Sequence, residues 1–179
     1  MSVKVTYFVH GTTTDNEAKR ASGWNPGELS EKGKSQAAAL RDLIDKDSID
    51  VVFCSDLKRA IDSTEIVFEN KKEVIVDSRL RECNYGDLDG QSNSLVIYEN
   101  HIIEKFPNGE SMQDVEKRIR DFCEYALKEF DGKHIAIVAH KAPQLALEVI
   151  TKGIAWEEAI EKDWRKTKSW QPGWSYEIV

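Results

Sequence analysis

Three polar side chains that could support catalysis each directly follow an apolar, strand-like run. The runs and side chains are Val3–Val9 with His10, Ile49–Cys54 with Ser55, and Ile135–Ala139 with His140. Histidine can act as a nucleophile or carry a proton near neutral pH. A lone histidine after a strand is more often structural, so a shared role depends on a fold that brings these residues together.

The alternation of apolar strands with helices predicts the fold that would do this. Helix-separated strands with continuous apolar runs favour a largely parallel sheet covered on both faces. We therefore expect an α/β fold, a three-layer α/β/α sandwich with a mostly parallel central sheet. Ligands bind beyond the carboxyl ends of such strands, which would put His10, Ser55 and His140 at one edge of the sheet. Residues 1–179 are expected to form a single domain, since no linker or repeat is visible.

The helices are predicted from apolar residues spaced three or four apart. The predicted segments are a helix capped by Ser30, then Asp56–Glu69, Leu95–Phe106, Ser111–Phe130, Gln144–Ile150 and Trp156–Asp163. Between the first strand and the first helix, Thr12–Leu29 is polar and is predicted to be a long irregular loop. Loops of this length in compact folds are usually functional.

Composition limits the classes of partner. Hydrophobic residues make up 40% and charged residues 32%, as in a soluble globular chain, and the apolar runs are too short to span a membrane. The formal net charge of −7 and the lack of a long basic block argue against nucleic acid. The N-terminus shows no secretory signal pattern, so a cytoplasmic location is expected. No metal or other cofactor is expected, and Asp87 and Asp89 are interpreted as solvated carboxylates.

Six motif segments occur in a fixed order between residue 3 and about residue 150. They are Phe8–Asn16, Arg20–Trp24 with Leu29–Ala37, Ser55–Ala60, Leu80–Glu82 with Gly86 and Gly90, Gly109–Ser111, and Val138–His140. Each segment alone is weak, but the ordered set resembles the histidine phosphatase superfamily, with its phosphoglycerate mutase-like fold.

The resemblance implies a role for each site residue. His10 would accept the phosphoryl group of a small phosphorylated substrate, forming a phosphohistidine that water cleaves. Arg59 would clamp two phosphate oxygens, and a protonated His140 would add a second positive donor. Glu82 would protonate the leaving alcohol and then accept a proton from water. The substrate-binding pocket would also include Gly11, Thr13, Asn16, Ser22 and Gly23, and we add Lys141 for the reason given next.

Two positions depart from the family pattern. Val9 stands where the family has an arginine that contributes to the phosphate pocket, and Lys141 stands where it has a glycine. Losing one preorganised charged donor lowers rates on the order of 10²–10³-fold in comparable sites. Lys141 would supply a replacement cation, or it is simply an exposed lysine at the start of a helix.

The favoured function is a metal-independent phosphatase that works through His10. Two alternatives stay open: a phosphate-ester-binding protein that lost catalysis through Val9, and a phosphoglycerate mutase, although mutases have longer chains. Monomers and dimers both occur in the family, so a homodimer also stays open. The tryptophans near the C-terminus are interpreted as core or interface packing rather than a lid over an apolar leaving group.

Overall fold

A five-stranded sheet forms the centre of the protein in the computed structural model, which describes all 179 residues. The strands are β1 (Val3–Val9), β2 (Val51–Cys54), β3 (Val74–Val76), β4 (His134–Ala139) and β5 (Trp174–Ile178). They lie in the order β3-β2-β4-β1-β5, with β1 to β4 parallel and β5 antiparallel to β1. The predicted mostly parallel sheet is confirmed, with one antiparallel edge strand.

Seven α-helices accompany the sheet. They are α1 (Thr14–Glu17), α2 (Glu31–Leu43), α3 (Lys58–Phe68), α4 (Met112–Glu129), α5 (Lys141–Lys152), α6 (Trp156–Glu161) and α7 (Trp164–Thr167). Two long helices begin at serine caps. Ser30, the predicted cap, accepts at Oγ from the Gly33 amide, and Ser111, predicted as the first residue of its helix, is instead its cap and accepts at Oγ from the Asp114 amide. No helix combines the length and apolar character needed to cross a bilayer.

The core divides into two hydrophobic clusters, one on each face of the sheet. Alternate residues of a strand point to opposite faces, so neighbouring β1 residues Tyr7 and Phe8 belong to different clusters. On one face, Phe8 packs edge-on against Phe68 of α3. On the other, Phe53 of β2 packs against Phe122 of α4 with ring centroids 5.2 Å apart. These two layers of helices confirm the predicted α/β/α arrangement.

The helix predicted over Leu95–Phe106 is wrong. This stretch instead carries 3-10 turns at Asn93–Leu95 and Tyr98–His101, joined by irregular chain. Four β-branched residues between positions 96 and 103 lower its helix propensity. Tyr98 and Phe106 are buried as separate anchors, so packing does not require a continuous helix. The helix predicted to run to Asp163 likewise ends at Glu161.

Candidate active site

His10 and His140 lie side by side because their strands are parallel neighbours. Val9, the last residue of β1, is in register with Ala139, the last residue of β4. The next residue of each strand is a histidine, and the two ring centroids are 5.1 Å apart. The two histidines therefore lie together at one edge of the sheet, as their positions after the strands predicted.

The hydrogen bonding of His10 fixes which ring nitrogen can react. Its Nδ1 lies 2.7 Å from the carbonyl oxygen of Gly11, which can only accept, so Nδ1 carries the proton. Burial, followed by the charges of Arg59 and Arg165, lowers the pKa of His10 to about 3, against the opposing effect of the Gly11 bond. The imidazole is therefore neutral near pH 7, with a free electron pair on Nε2.

His140 is fully buried behind this ring. Burial, and then the charges of Arg59, His10 and Arg118, lower its pKa well below the ordinary histidine value. This environment favours a neutral ring, which opposes the positive charge expected from the sequence. Neither ring nitrogen has a hydrogen-bond partner in the protein. A neutral His140 can still donate one N–H bond.

Arg59 reaches the site from the first turn of α3 and is only 2% exposed. Its Nη1 donates to the carbonyls of Asn25 (2.7 Å) and Pro26 (3.2 Å), and its Nη2 donates to the carbonyl of Gly23 (2.8 Å). Arg59 thereby holds the loop before α2 in place. A guanidinium has five N–H donors, so the Nε–H and one Nη2–H remain without a protein acceptor and could bind phosphate oxygens.

Glu82 joins its own loop to the start of α5. Its Oε1 accepts from the amides of Ala142 and Cys83, both at 2.9 Å, and its Oε2 accepts from the Lys141 amide at 3.2 Å. The Tyr98 hydroxyl also donates to Oε1, at 3.4 Å. These contacts hold the Glu82 carboxyl group at the N-terminus of α5. Oε2 has the single weaker contact and is therefore the oxygen free to exchange a proton.

A second layer holds the loop that carries Glu82. Arg118 of α4 pairs with Glu110 and donates to the backbone carbonyls of Arg79, Arg81 and Glu82. The segment containing Glu110 was recognised as a motif, and its role here is to anchor this arginine. Nothing in the sequence pattern pointed to Arg118, because its contacts are to backbone atoms distant along the chain.

A cavity of about 920 Å³ opens in front of His10. Five of the predicted substrate-binding residues line it with His10, Arg59 and Glu82, namely Gly11, Asn16, Ser22, Gly23 and Lys141. Thr13 does not line the cavity. Its side chain is fully buried and accepts from the Asn16 amide at 3.0 Å as the cap of α1. Thr13 therefore supports Asn16 from beneath.

Several lining groups already use part of their hydrogen-bonding capacity. The Gly11 amide donates to Ser63 Oγ at 3.1 Å, and the Ser22 hydroxyl donates to Asp15 at 2.8 Å. Asn16 Oδ1 accepts from the Thr13 amide at 3.0 Å, which directs its remaining amide donors elsewhere. The side-chain amide of Asn16 thus keeps free donors, as do the backbone amides of Ser22 and Gly23, which have no acceptor in the protein.

Lys141, expected either as a replacement cation or as an exposed lysine, has an intermediate position. It lines the cavity, but its Nζ lies 3.3 Å from Asp163 Oδ2 and 4.4 Å from the Tyr98 ring centroid. Its charge is thus already balanced by a carboxylate and an aromatic face. Lys141 is neither a free cation nor a plain surface lysine.

The C-terminal segment forms a wall of the cavity that the sequence did not predict. It contributes Trp164, Arg165, Trp170 and Trp174. The rings of Trp164 and Trp174 stack with centroids 5.1 Å apart. Three of the five tryptophans therefore face the cavity, contrary to the packing role expected for the group, whereas Trp156 is 5% exposed and belongs to the core.

Comparisons with known proteins agree with this geometry. The family model described as "Histidine phosphatase superfamily (branch 1)" matches residues 7–161. Phosphoserine phosphatase 1 of Hydrogenobacter thermophilus is 29% identical over 164 residues, 85% of this chain and 77% of that protein. The 2,3-bisphosphoglycerate-dependent phosphoglycerate mutase 2 of Gloeobacter violaceus is 31% identical over 147 residues, 73% and 67% of the two chains.

A solved structure gives the same result at the level of the fold. Mycobacterial glucosyl-3-phosphoglycerate phosphatase, in a complex with VO3, superposes with a TM-score of 0.76 at 27% identity. The match covers 88% of this chain and 86% of that one. With the family model spanning most of the sequence, the chain belongs to the histidine phosphatase superfamily, branch 1.

Proposed function

We propose that the protein is a metal-independent phosphatase that hydrolyses a phosphate monoester through a phosphohistidine at His10. The observation that carries the proposal is the state of His10. Its Nδ1–H is held by the Gly11 carbonyl, which leaves an unprotonated Nε2 beside the buried cation Arg59. A phosphoryl acceptor needs a free electron pair together with positive charge for the phosphate oxygens.

In the first step, His10 Nε2 forms a bond to phosphorus while the bond to the ester oxygen breaks. The electron pair of that bond stays on the leaving oxygen, which takes a proton from Glu82. This step requires Glu82 to carry the proton on Oε2, the oxygen with the single weaker contact. The free N–H donors of Arg59 stabilise the charge on the phosphoryl oxygens.

In the second step, water replaces the departed alcohol. Glu82, now ionised, accepts a proton from the water as its oxygen bonds to phosphorus. The bond between phosphorus and Nε2 then breaks, and its electron pair returns to His10. The products are the alcohol and inorganic phosphate, and the enzyme regains its starting protonation.

The test is hydrolysis of p-nitrophenyl phosphate, with and without chelator, by the wild type and by His10→Ala. Chelator-resistant turnover that disappears in His10→Ala is expected. Rapid quenching with labelled substrate should trap a phosphoenzyme that is labile in acid and stable in base, as phosphohistidine is. Activity that survives in His10→Ala would contradict the proposal.

Two other functions are separated by the same assay. Mutases occur among the relatives at 31% identity, and a mutase would transfer the phosphoryl group between two positions of phosphoglycerate instead of releasing it to water. A disabled, phosphate-binding protein would show no turnover as the wild type but would gain it in Val9→Arg, since Val9 lines the cavity.

A further inference from the structure

Arg165 is a cation of the cavity wall that takes no part in the roles described above. It lies on the short helix α7 and lines the same cavity as His10. Its Nη1 donates to Asp163 Oδ1 at 2.8 Å, and its guanidinium carbon lies 4.3 Å from the Trp164 ring centroid. An ion pair on one edge and an aromatic ring against the guanidinium fix the orientation of this side chain.

The other terminal nitrogen of Arg165 has no acceptor. Nη2 is buried, yet it has no hydrogen-bond partner in the protein. A buried charged donor without a partner costs more than a neutral one, so the free Nη2 calls for an explanation, as does Oδ2 of Asp163, which also lacks a hydrogen bond. Other parts of the side chain, which is 24% exposed, line the His10 cavity, so a rotation of the guanidinium would present Nη2 to an acceptor bound there.

The remaining cations of the site are already occupied in part. Arg59 uses three of its five N–H donors on backbone carbonyls, and Lys141 is paired with Asp163. His140 is held neutral by its burial. A transferring phosphoryl group spreads negative charge over three oxygens and needs several donors. Arg20 also lines the cavity, but its side chain is exposed and has no hydrogen bond or ion pair that orients it. Arg165 is held by both Asp163 and the Trp164 ring, so it is the better oriented of these two cations to add a donor.

Asp163 positions Arg165 without cancelling the charge of the wall. Its side chain is fully buried and contacts both Arg165 and Lys141. Burial opposes its ionisation, but the charges of Arg165 and Lys141, together with the hydrogen bonds from Arg165, outweigh that effect and keep the pKa of Asp163 below its ordinary value. Two cations share one carboxylate, so the cluster keeps a net positive charge facing the cavity.

We propose that Arg165 is a phosphate-binding catalytic residue whose Nη2 donates to a nonbridging oxygen of the phosphoryl group while His10 attacks phosphorus. This inference rests on the proposed phosphatase function and adds a residue to its site. It also explains how the pocket can hold a dianion although Val9, which faces the same cavity, carries no charge.

The test compares Arg165→Ala and Arg165→Gln with Lys166→Ala. Lys166 is the next residue of α7, but its Nζ pairs with Glu99 at 2.8 Å and it does not line the cavity. Glutamine keeps a side chain that can reach Asp163 and Trp164 but removes the charge. Both Arg165 variants should lose on the order of 10²–10³-fold in kcat/KM, while Lys166→Ala stays within about twofold of wild type.

Anion binding provides a readout that does not require turnover. The dissociation constants of inorganic phosphate and orthovanadate, measured by calorimetry, should rise at least about tenfold in Arg165→Gln, since a charged hydrogen bond contributes about 1.5–3 kcal/mol. Thermal unfolding of each variant checks that the fold is retained. If Arg165→Gln is folded and binds phosphate as tightly as wild type, the inference is overturned.

The two proposals fail in different ways. If the wild type shows no turnover that depends on His10, the phosphatase proposal fails, and the phosphate dissociation constants alone decide the role of Arg165. If turnover depends on His10 but both Arg165 variants keep wild-type kcat/KM, only the Arg165 inference fails.

Discussion

The neutral state of His10 predicts a specific loss of stability in acid. Its native pKa is about 3, whereas an unfolded histidine titrates near pH 6.5. Between these values the unfolded chain binds more protons than the native one, so stability rises with pH there. The contribution of the neutral His10 ring to the free energy of unfolding is complete above about pH 6.5 and is lost as the pH falls toward 3.

The magnitude follows from the two pKa values. Between pH 7.5 and 5.5, protonation of His10 in the unfolded chain alone stabilises that state by about 1.4 kcal/mol. The figure hardly changes if the native pKa is one unit higher, because His10 is still neutral in the native state at pH 5.5. His10→Asn removes the titrating imidazole but keeps an N–H group that can reach the Gly11 carbonyl.

The assay is urea unfolding of wild type and His10→Asn at pH 7.5 and 5.5. Other titrating groups contribute equally to both proteins, so the change with pH in their difference isolates His10. We expect the wild type to lose about 1.4 kcal/mol more than the variant over this interval. Parallel losses in the two proteins, or a protonated His10 ring in nitrogen-detected NMR spectra at pH 5.5, would refute the reasoning.

Further variants test other parts of the site. Glu82→Gln should lower kcat for an alkyl phosphate by about 10²–10⁴-fold. The loss for p-nitrophenyl phosphate should be much smaller, because nitrophenolate leaves without a proton. Equal losses of kcat on both substrates would rule out an acid role for Glu82. Trp170→Ala should raise KM for an aryl phosphate about two- to tenfold relative to glycerol phosphate, since its exposed ring lines the cavity. Gly33→Ala would put a Cβ 2.0 Å from the Thr12 carbonyl oxygen, so urea unfolding should show a loss of about 1–3 kcal/mol.

The strand-end residues of the site were predictable from the sequence, and the reason is geometric. Parallel strands with apolar runs end at one edge of the sheet, so residues that follow them meet without any knowledge of the loops. His10 and His140 satisfy this rule with ring centroids 5.1 Å apart. The same rule places Arg59 near this edge, because it lies in the first turn of α3, the helix that follows β2.

The rest of the site depends on contacts that leave no local pattern. Arg118 acts through backbone carbonyls about 36 to 39 positions away, and Arg165 lies on a four-residue helix after the recognised motifs. Neither has a periodicity or a motif of its own. For Lys141, the sequence predicted that the residue lies near His10 and His140, but it did not predict the ion pair with Asp163. Strand order therefore predicts which side chains lie near the site. Tertiary packing decides whether those side chains are charged and whether they are free to bind a ligand.

The buried Arg59 and the partly exposed Arg165 would connect substrate binding to the reactivity of His10 in the proposed mechanism. Arg59 and Arg165 each lower the pKa of His10, after the larger effect of burial, and so help to keep Nε2 unprotonated. The same two positive charges favour a phosphate dianion in the cavity, where water screens them poorly. Once the dianion is present, its charge offsets theirs and protonation of the neighbouring neutral imidazole His140 becomes less unfavourable. In the proposed mechanism, the site would thus offer an unprotonated nucleophile to the arriving phosphate, and protonation of His140 would be favoured only after the phosphate is bound.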